Sequence, residues 1–295
     1  RQFGGARIDR LVQFTGYEAE TILSYSTFKG DKTIFVHNDM LGEIKLKGNQ
    51  RKDVLNYAYR HYDKVAVVTD DILQPTRKLA GRGANIVRVK NTIAYEDVLN
   101  KKDLPIEFDS FTESTVSEKR FKELISGEGF KFINVGRFSP EKGQMRLIKA
   151  FQRFLADHPD AKLFIVGGYQ RENAYITLRR YVEDEKLKDS VILVMKMINP
   201  YPVINACDAF VLSSFYEGFG LVIAEADICG KPVASTDIIG PTKFMKEHGG
   251  FLVESSDDGI YKALVTLAEN KVKPLNIDYS AYNKEAVSEW EELFK

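Results

Sequence analysis

Residues Phe130–Phe151 read FKFINVGRFSPEKGQMRLIKAF. Apolar side chains crowd the first six positions, Gly136 follows, and then the period changes. Across GQMRLIKAFQRFLADHP (Gly143–Pro159), Leu147, Ile148, Phe151, Phe154 and Leu155 recur at the spacing of one helix face. A buried strand therefore turns through a short loop into a helix. That unit builds α/β folds, and the loop between strand end and helix start is where they hold ligands. Outward from this stretch the alternation continues. The strand candidates are Ile8–Phe14, Thr33–His37, Lys64–Thr69, Asn85–Val89, Lys131–Val135, Ala161–Val166, Ser190–Val194, Ala209–Leu212 and Pro232–Ser235. Helical patterns lie between most of them, which predicts parallel sheets covered on both faces. No period of 20–50 residues repeats, so a solenoid is excluded.

The chain has 295 residues, enough for two domains of ordinary size. Its 44% hydrophobic and 28% charged residues are those of a globular protein, and a formal net charge of zero gives no reason to expect nucleic acid as a partner. Cys207 and Cys229 both fall in apolar patterned segments and read as buried thiols rather than a disulfide. No apolar run approaches the roughly 18 residues of a membrane-spanning helix. KKDLPIEFDSFTESTVSEKRFKELISGEG (Lys101–Gly129) is polar and lacks a strand pattern, which places the domain boundary there.

Two constellations carry chemistry. In the loop VGRFSPEKGQ, Arg137 and Lys142 flank the start of a helix, whose free N–H groups and partial positive charge favour an anion. The spacing alone is equally that of a solvated loop with two surface cations, and the order is not that of a Walker loop. Further on, SSFYEGFGLVIAEADICGKPV (Ser213–Val233) sets Glu217 in a turn after a strand and Glu225 in the following helix. With Glu225 about two turns in, the carboxyls stand about 12 Å apart along the axis. That exceeds the separation of a glycosidase pair and suits two grips on one extended ligand. Gly218 and Gly220 let the backbone approach it closely. No Asp-x-Asp motif and no His/Cys cluster points to a metal; Asp70-Asp71 and Asp257-Asp258 are adjacent pairs in polar or loop contexts.

Taken together, these motifs resemble the retaining GT-B glycosyltransferases of family 4. The resemblance rests on the G-R-x-x-x-x-K-G loop at Gly136, on E-G-F-G followed by the second Glu at Glu225, on the G-x-P-V strand at Gly230, and on INPYPVINACDAFVLSS leading into the motif. It covers the second domain and thins over the first, where TIFVHNDM, DKVAVVTDDILQPTRKL and ANIVRVKNTI are similar to family segments. It implies an α/β, GT-B fold: two Rossmann-like domains facing across a cleft, the first one incomplete. Residues 1–110 would form the partial acceptor-side domain, 111–129 a linker, 130–275 the nucleotide-sugar-binding domain, and 276–295 a helix crossing back. With about four strands before the linker and no initiator Met, the chain reads as a fragment of a longer one.

The resemblance also implies a transferase moving a sugar, with retention, from a nucleotide-diphosphate donor of UDP type to a hydroxyl acceptor. No cofactor or metal is required. Arg137 and Lys142 would hold the diphosphate and neutralise the leaving group. Glu225 would accept from the ribose hydroxyls, and Glu217 would face the sugar. Gly136, Gly218, Phe219, Gly220 and Leu221 would complete the donor site, and His37 would reach it from across the cleft; by itself His37 reads as a hydrogen-bonded strand-end histidine. The acceptor would be a carbohydrate, polymer or lipid-linked glycan, with QFTGYE and TIFVHNDM similar to enzymes that build teichoic-acid-type cell-wall polymers. Such an enzyme works in the cytoplasm, with peripheral membrane contact where the acceptor is lipid-linked. The chain departs from the family at GGYQREN, which leaves base contacts near Gly168 and Tyr169 open, and at Asp227 and Ile228, where Asp227 reads as solvent-facing. A fragment that binds nucleotide-sugar without turnover, and an epimerase of the same fold, satisfy the same residues. A phosphorylase would need a pyridoxal-phosphate lysine motif that is not found.

Overall fold

The computed structural model describes residues 8–48, 50–168 and 172–295. Two parallel sheets organise them. The first contains β1 (Arg10–Gln13), β2 (Asp31–Val36), β3 (Lys64–Val67) and β4 (Ile86–Arg88), laid side by side in sequence order with Ile34 opposite Val65 and Ala66 opposite Val87. The second contains β5 (Glu113–Ser114), β6 (Lys131–Val135), β7 (Lys162–Gly167), β8 (Val191–Met195), β9 (Ala209–Leu212), β10 (Val233–Thr236) and β11 (Phe251–Val253). Their order is β11-β10-β9-β6-β7-β8-β5, parallel except for β5, which runs antiparallel to β8. The strand order reverses between β9 and β6, the switch point at which loops diverge and leave a crevice.

Every residue of β8 and β9 is buried. Strands covered on both faces carry such unbroken apolar runs, which is why they are legible without alternation. The helix Gln144–Phe154 lays Leu147, Ile148, Phe151 and Phe154 on one face of the second sheet, all at 0% exposure, beside the helix Asp257–Ala268. Phe121, Val203, Ile223 and Phe244 cover the opposite face. Cys207 and Cys229 are free and buried there, and burial pushes the Cys229 thiol up to about 11. The polar stretch 111–129 holds β5 and the helix Glu118–Ser126, so part of it packs with the second sheet rather than spanning between the two.

The helix Tyr279–Leu293 belongs to both halves. Tyr279 is buried in the second core, whereas Leu293 is buried in the first and Trp290 stacks on Phe35 at 4.6 Å between ring centroids. Trp290 Nε1 donates to the Lys90 carbonyl at 2.8 Å, and both Glu289 oxygens accept from Arg88 at 2.9 Å. Asp227, expected at the surface, is instead 5% exposed and anchors the approach to this helix. Its carboxylate accepts from Asn276 N (2.8 Å), Ile277 N (3.1 Å) and the Tyr279 hydroxyl (3.0 Å). A buried carboxylate needs such donors, and two backbone N–H groups with no sequence signature supply most of them. Among the described residues no helix is long and apolar enough to cross a membrane.

Candidate functional site

The cleft between the sheets is lined by strand C-terminal ends. β6 ends at Val135, and the loop beyond it is fixed by Gly136 N to the Val166 carbonyl (3.0 Å) and Phe138 N to the Gly168 carbonyl (3.1 Å). Phe138 is fully buried against Tyr175, and this pins the loop while Arg137 beside it stays exposed. A short 3-10 turn, Pro140–Lys142, then leads to Gly143 at φ 63°, which starts the helix. Only a glycine fits there: the backbone is left-handed and a Cβ would collide with the Ser213 carbonyl.

β9 delivers the second loop to the same place. Lys142 Nζ donates to both oxygens of Glu217, at 2.7 and 2.8 Å. Ser214 Oγ donates to Glu217 Oε1 at 2.6 Å, and Ser213 Oγ donates to the Lys142 carbonyl at 3.0 Å. Glu217 is 9% exposed, and a cation and a hydroxyl face its carboxylate, as a buried carboxylate requires. Gly220 (φ 78°) then starts the helix Leu221–Ile228, whose first turn has no acidic residue and no side-chain cap. A helix start without a side-chain cap leaves backbone N–H groups free for an anion.

Glu225 lies about one turn into that helix, not two, because the helix starts at Leu221 and the preceding Glu217–Gly220 segment is loop. Burial raises the Glu225 carboxyl above its ordinary range, and the Tyr201 hydroxyl donates to it at 3.5 Å. That phenol is itself pushed up to about 12 by burial and by Glu225.

The first domain enters at His37, just past β2. Its Nε2–H donates to the Phe14 carbonyl at 2.8 Å, its ring sits 4.8 Å from that of Phe14, and burial lowers its pKa. The two domains touch here. A Cβ on Gly218 would overlap the His37 carbonyl and come within 2.5 Å of Asn38 Oδ1. Beside this contact, Asp71 Oδ2 accepts from Lys243 N at 3.1 Å and Asp70 pairs with Lys243 Nζ at 2.7 Å, so the adjacent acids form a cross-domain clasp.

The structure thus brings Gly136, Arg137, Lys142, Glu217, Gly218, Phe219, Gly220, Leu221 and His37 to one cleft, with Glu225 on the flank of the second helix. Phe219 turns inward and packs on Phe244 at 5.0 Å. Tyr169 lies outside the described residues. Sequence reading missed Arg146, Ser214 and Tyr201. Ser214 stands three residues before Glu217 in the quoted motif, a spacing that could have flagged it; Arg146 and Tyr201 carry no such mark.

Two Rossmann-like domains facing across a cleft, with the ligand loops at the strand reversal of the second, define the GT-B class of fold. The superposition on Anabaena HepE, solved in complex with UDP and glucose, agrees: TM-score 0.75 at 20% identity, over 97% of this chain and 76% of that one. The chain belongs to the family described as glycosyl transferases group 1, whose model matches residues 115–284. Among curated relatives, it is 31% identical over 192 residues to the UDP-Gal:alpha-D-GlcNAc-diphosphoundecaprenol alpha-1,3-galactosyltransferase of Escherichia coli, which covers 62% of this chain and 48% of that protein. It is 24% identical over 241 residues to the poly(glycerol-phosphate) alpha-glucosyltransferase of Bacillus subtilis, over 80% of this chain and 32% of that one. The chain spans half or less of the length of these relatives.

Proposed function

We propose that this chain carries the donor site of a retaining glycosyltransferase that takes a sugar from a nucleoside-diphosphate donor, of UDP type, to a hydroxyl acceptor. The observation that carries the reading is the Lys142–Glu217 pair at an uncapped helix start, 2.7 Å across, formed by the two loops of the strand reversal. An ammonium has three N–H donors, and Glu217 takes two, so the third is left for a phosphate oxygen. In this reading Lys142, with the exposed Arg137, binds the diphosphate. As the bond from the anomeric carbon to the β-phosphate oxygen breaks, these cations stabilise the negative charge that collects on the leaving group. The acceptor oxygen bonds to the same carbon on the same face, and its proton passes to the departing phosphate oxygen. The products are a glycoside and a nucleoside diphosphate.

Glu217 faces the sugar hydroxyls in this scheme, the backbone of Gly218–Leu221 lies along the sugar and phosphates, and Glu225 accepts from the ribose. His37 reaches the sugar from the other domain. The donor-site domain then spans residues 130–275, and 276–295 returns to the acceptor side. The acceptor class is a glycan or surface polymer, free or lipid-linked, handled at the cytoplasmic face of a membrane. Relatives whose names specify a diphosphoundecaprenol-linked sugar and a poly(glycerol-phosphate) support this choice.

The test is thermal stability against UDP, GDP, ADP and CDP, with Glu225→Ala in parallel. One nucleotide at about 100 times its Kd should add about 2.7 kcal/mol to the parent and far less to the variant. Stabilisation by none of them overturns the reading. Analysis of products from the donor that binds separates transfer from epimerisation.

A further inference from the structure

Arg146 lies beside the two loops of the site with its guanidinium held on several sides. It sits in the first turn of the helix Gln144–Phe154 at 7% exposure. Nε and Nη2 both donate to the Ser213 carbonyl, at 2.8 and 2.6 Å, and Nη2 also donates to the Ser214 carbonyl at 2.6 Å. Nη1 donates to Ser255 Oγ at 3.2 Å, and the guanidinium lies over the Phe215 ring at 3.9 Å. Among the described residues no carboxylate comes within ion-pair distance of it. A buried guanidinium spent on carbonyl oxygens and a ring face is costly as a stabilising device. Its planar fork does, however, fix the orientation of two successive peptide units, which a lysine cannot do.

Those peptide units carry the site. The Ser214 hydroxyl, on the residue whose carbonyl Arg146 holds, donates to Glu217, and Glu217 in turn holds Lys142. Ser213, whose carbonyl Arg146 also holds, closes on the Lys142 carbonyl through its hydroxyl. Phe215 N donates to the Glu141 carbonyl at 2.8 Å, a further tie between the same two loops. We propose that Arg146 is a positioning residue that sets the Glu217 carboxylate on Lys142 by fixing the Ser213–Phe215 backbone and, through it, the Ser214 hydroxyl. The significance of this role rests on the reading of Lys142 and Glu217 as donor-site groups, but its test does not.

The test is the rate at which Lys142 is acylated by an N-hydroxysuccinimide acetate, quantified by mass spectrometry with the exposed Lys122 as internal reference. An ammonium held by a carboxylate must release it before it can react. R146K and S214A should each accelerate Lys142 toward the rate seen in E217Q, a rise of about tenfold when a charge-assisted hydrogen bond is lost outright. F151L, a core change that lowers the melting temperature without touching either loop, should leave the rate as it is. The proposal is overturned if folded R146K keeps the parental rate, if S214A keeps it, or if F151L accelerates Lys142 as much. Should R146K fail to fold, S255A, which removes the hydroxyl that accepts from Arg146 Nη1, decides in its place: a parental Lys142 rate overturns the proposal. Binding of the stabilising nucleotide by the parent is measured beside these. If no nucleotide binds while R146K still frees Lys142, the functional reading falls and the positioning role stands.

Discussion

Lys142 and Glu217 illustrate how a buried pair is expensive to break and cheap to delete. Replacing Lys142 with Met strands the Glu217 carboxylate with only the Ser214 hydroxyl. It should cost about 3 kcal/mol in urea unfolding, the low end for a buried pair because both side chains keep some exposure. The double change K142M/E217Q strands no charge and should cost clearly less than K142M alone, which a double-mutant cycle reads directly. His37 sets a pH dependence. Burial depresses its folded pKa below the ordinary value near 6.5. The unfolded chain therefore binds a proton first as pH falls. The stability this group contributes is full above the unfolded pKa, falls as pH drops below it and levels off under the depressed folded value. H37Q should flatten that part of a melting-temperature profile, the fall that begins near pH 6.5. Sequence showed the residues whose chemistry is charge at a motif position, Arg137, Lys142 and Glu217. It hid those defined by what they donate to or accept from. Arg146 serves carbonyls and Asp227 is served by backbone N–H groups, and neither kind of partner leaves a trace in residue type.

At the scale of elements, the site depends on two glycines that begin helices and one that meets the other domain. G143A adds both a left-handed strain and a collision with the Ser213 carbonyl, so it should cost about 3 kcal/mol or more. G230A, at φ 72° with nothing within 4 Å, carries the backbone strain alone and should cost about 1 kcal/mol. Chemical denaturation of the pair separates strain from collision. Most elements were legible because their strands are unbroken apolar runs: Lys131–Val135 and Ala209–Leu212 are found within the boundaries read from sequence. β5 and β11 were not. The first is a two-residue polar pair, Glu113-Ser114, added at the edge by antiparallel pairing with β8, and the second has three residues. The first is too short for a period to declare itself, and the second is an isolated FLV between Gly250 and Glu254, without the longer alternating run that marks β4. The position of Glu225 was misjudged for a related reason, since nothing in Gly218-Phe219-Gly220 says where loop stops and helix starts.

The whole molecule is two domains joined by a returning helix and a clasp of Asp70 and Asp71 on Lys243. Trp290→Ala removes the stack on Phe35 and the hydrogen bond to Lys90, and should cost about 3 kcal/mol, since the ring is partly exposed. It should also split a single calorimetric unfolding peak into two, as the halves lose the element they share. The returning helix has a consequence for how the protein is made. Lys90 and Trp290 are 200 residues apart. At roughly 5–20 residues per second, a ribosome takes about 10 to 40 seconds to deliver the second after the first. Throughout that interval Phe35 lacks its cover, and the nascent first domain waits while the entire second domain emerges and folds. Birth order thus runs against the order of completion, and the earliest part of this pair to be synthesised is the last to be sealed.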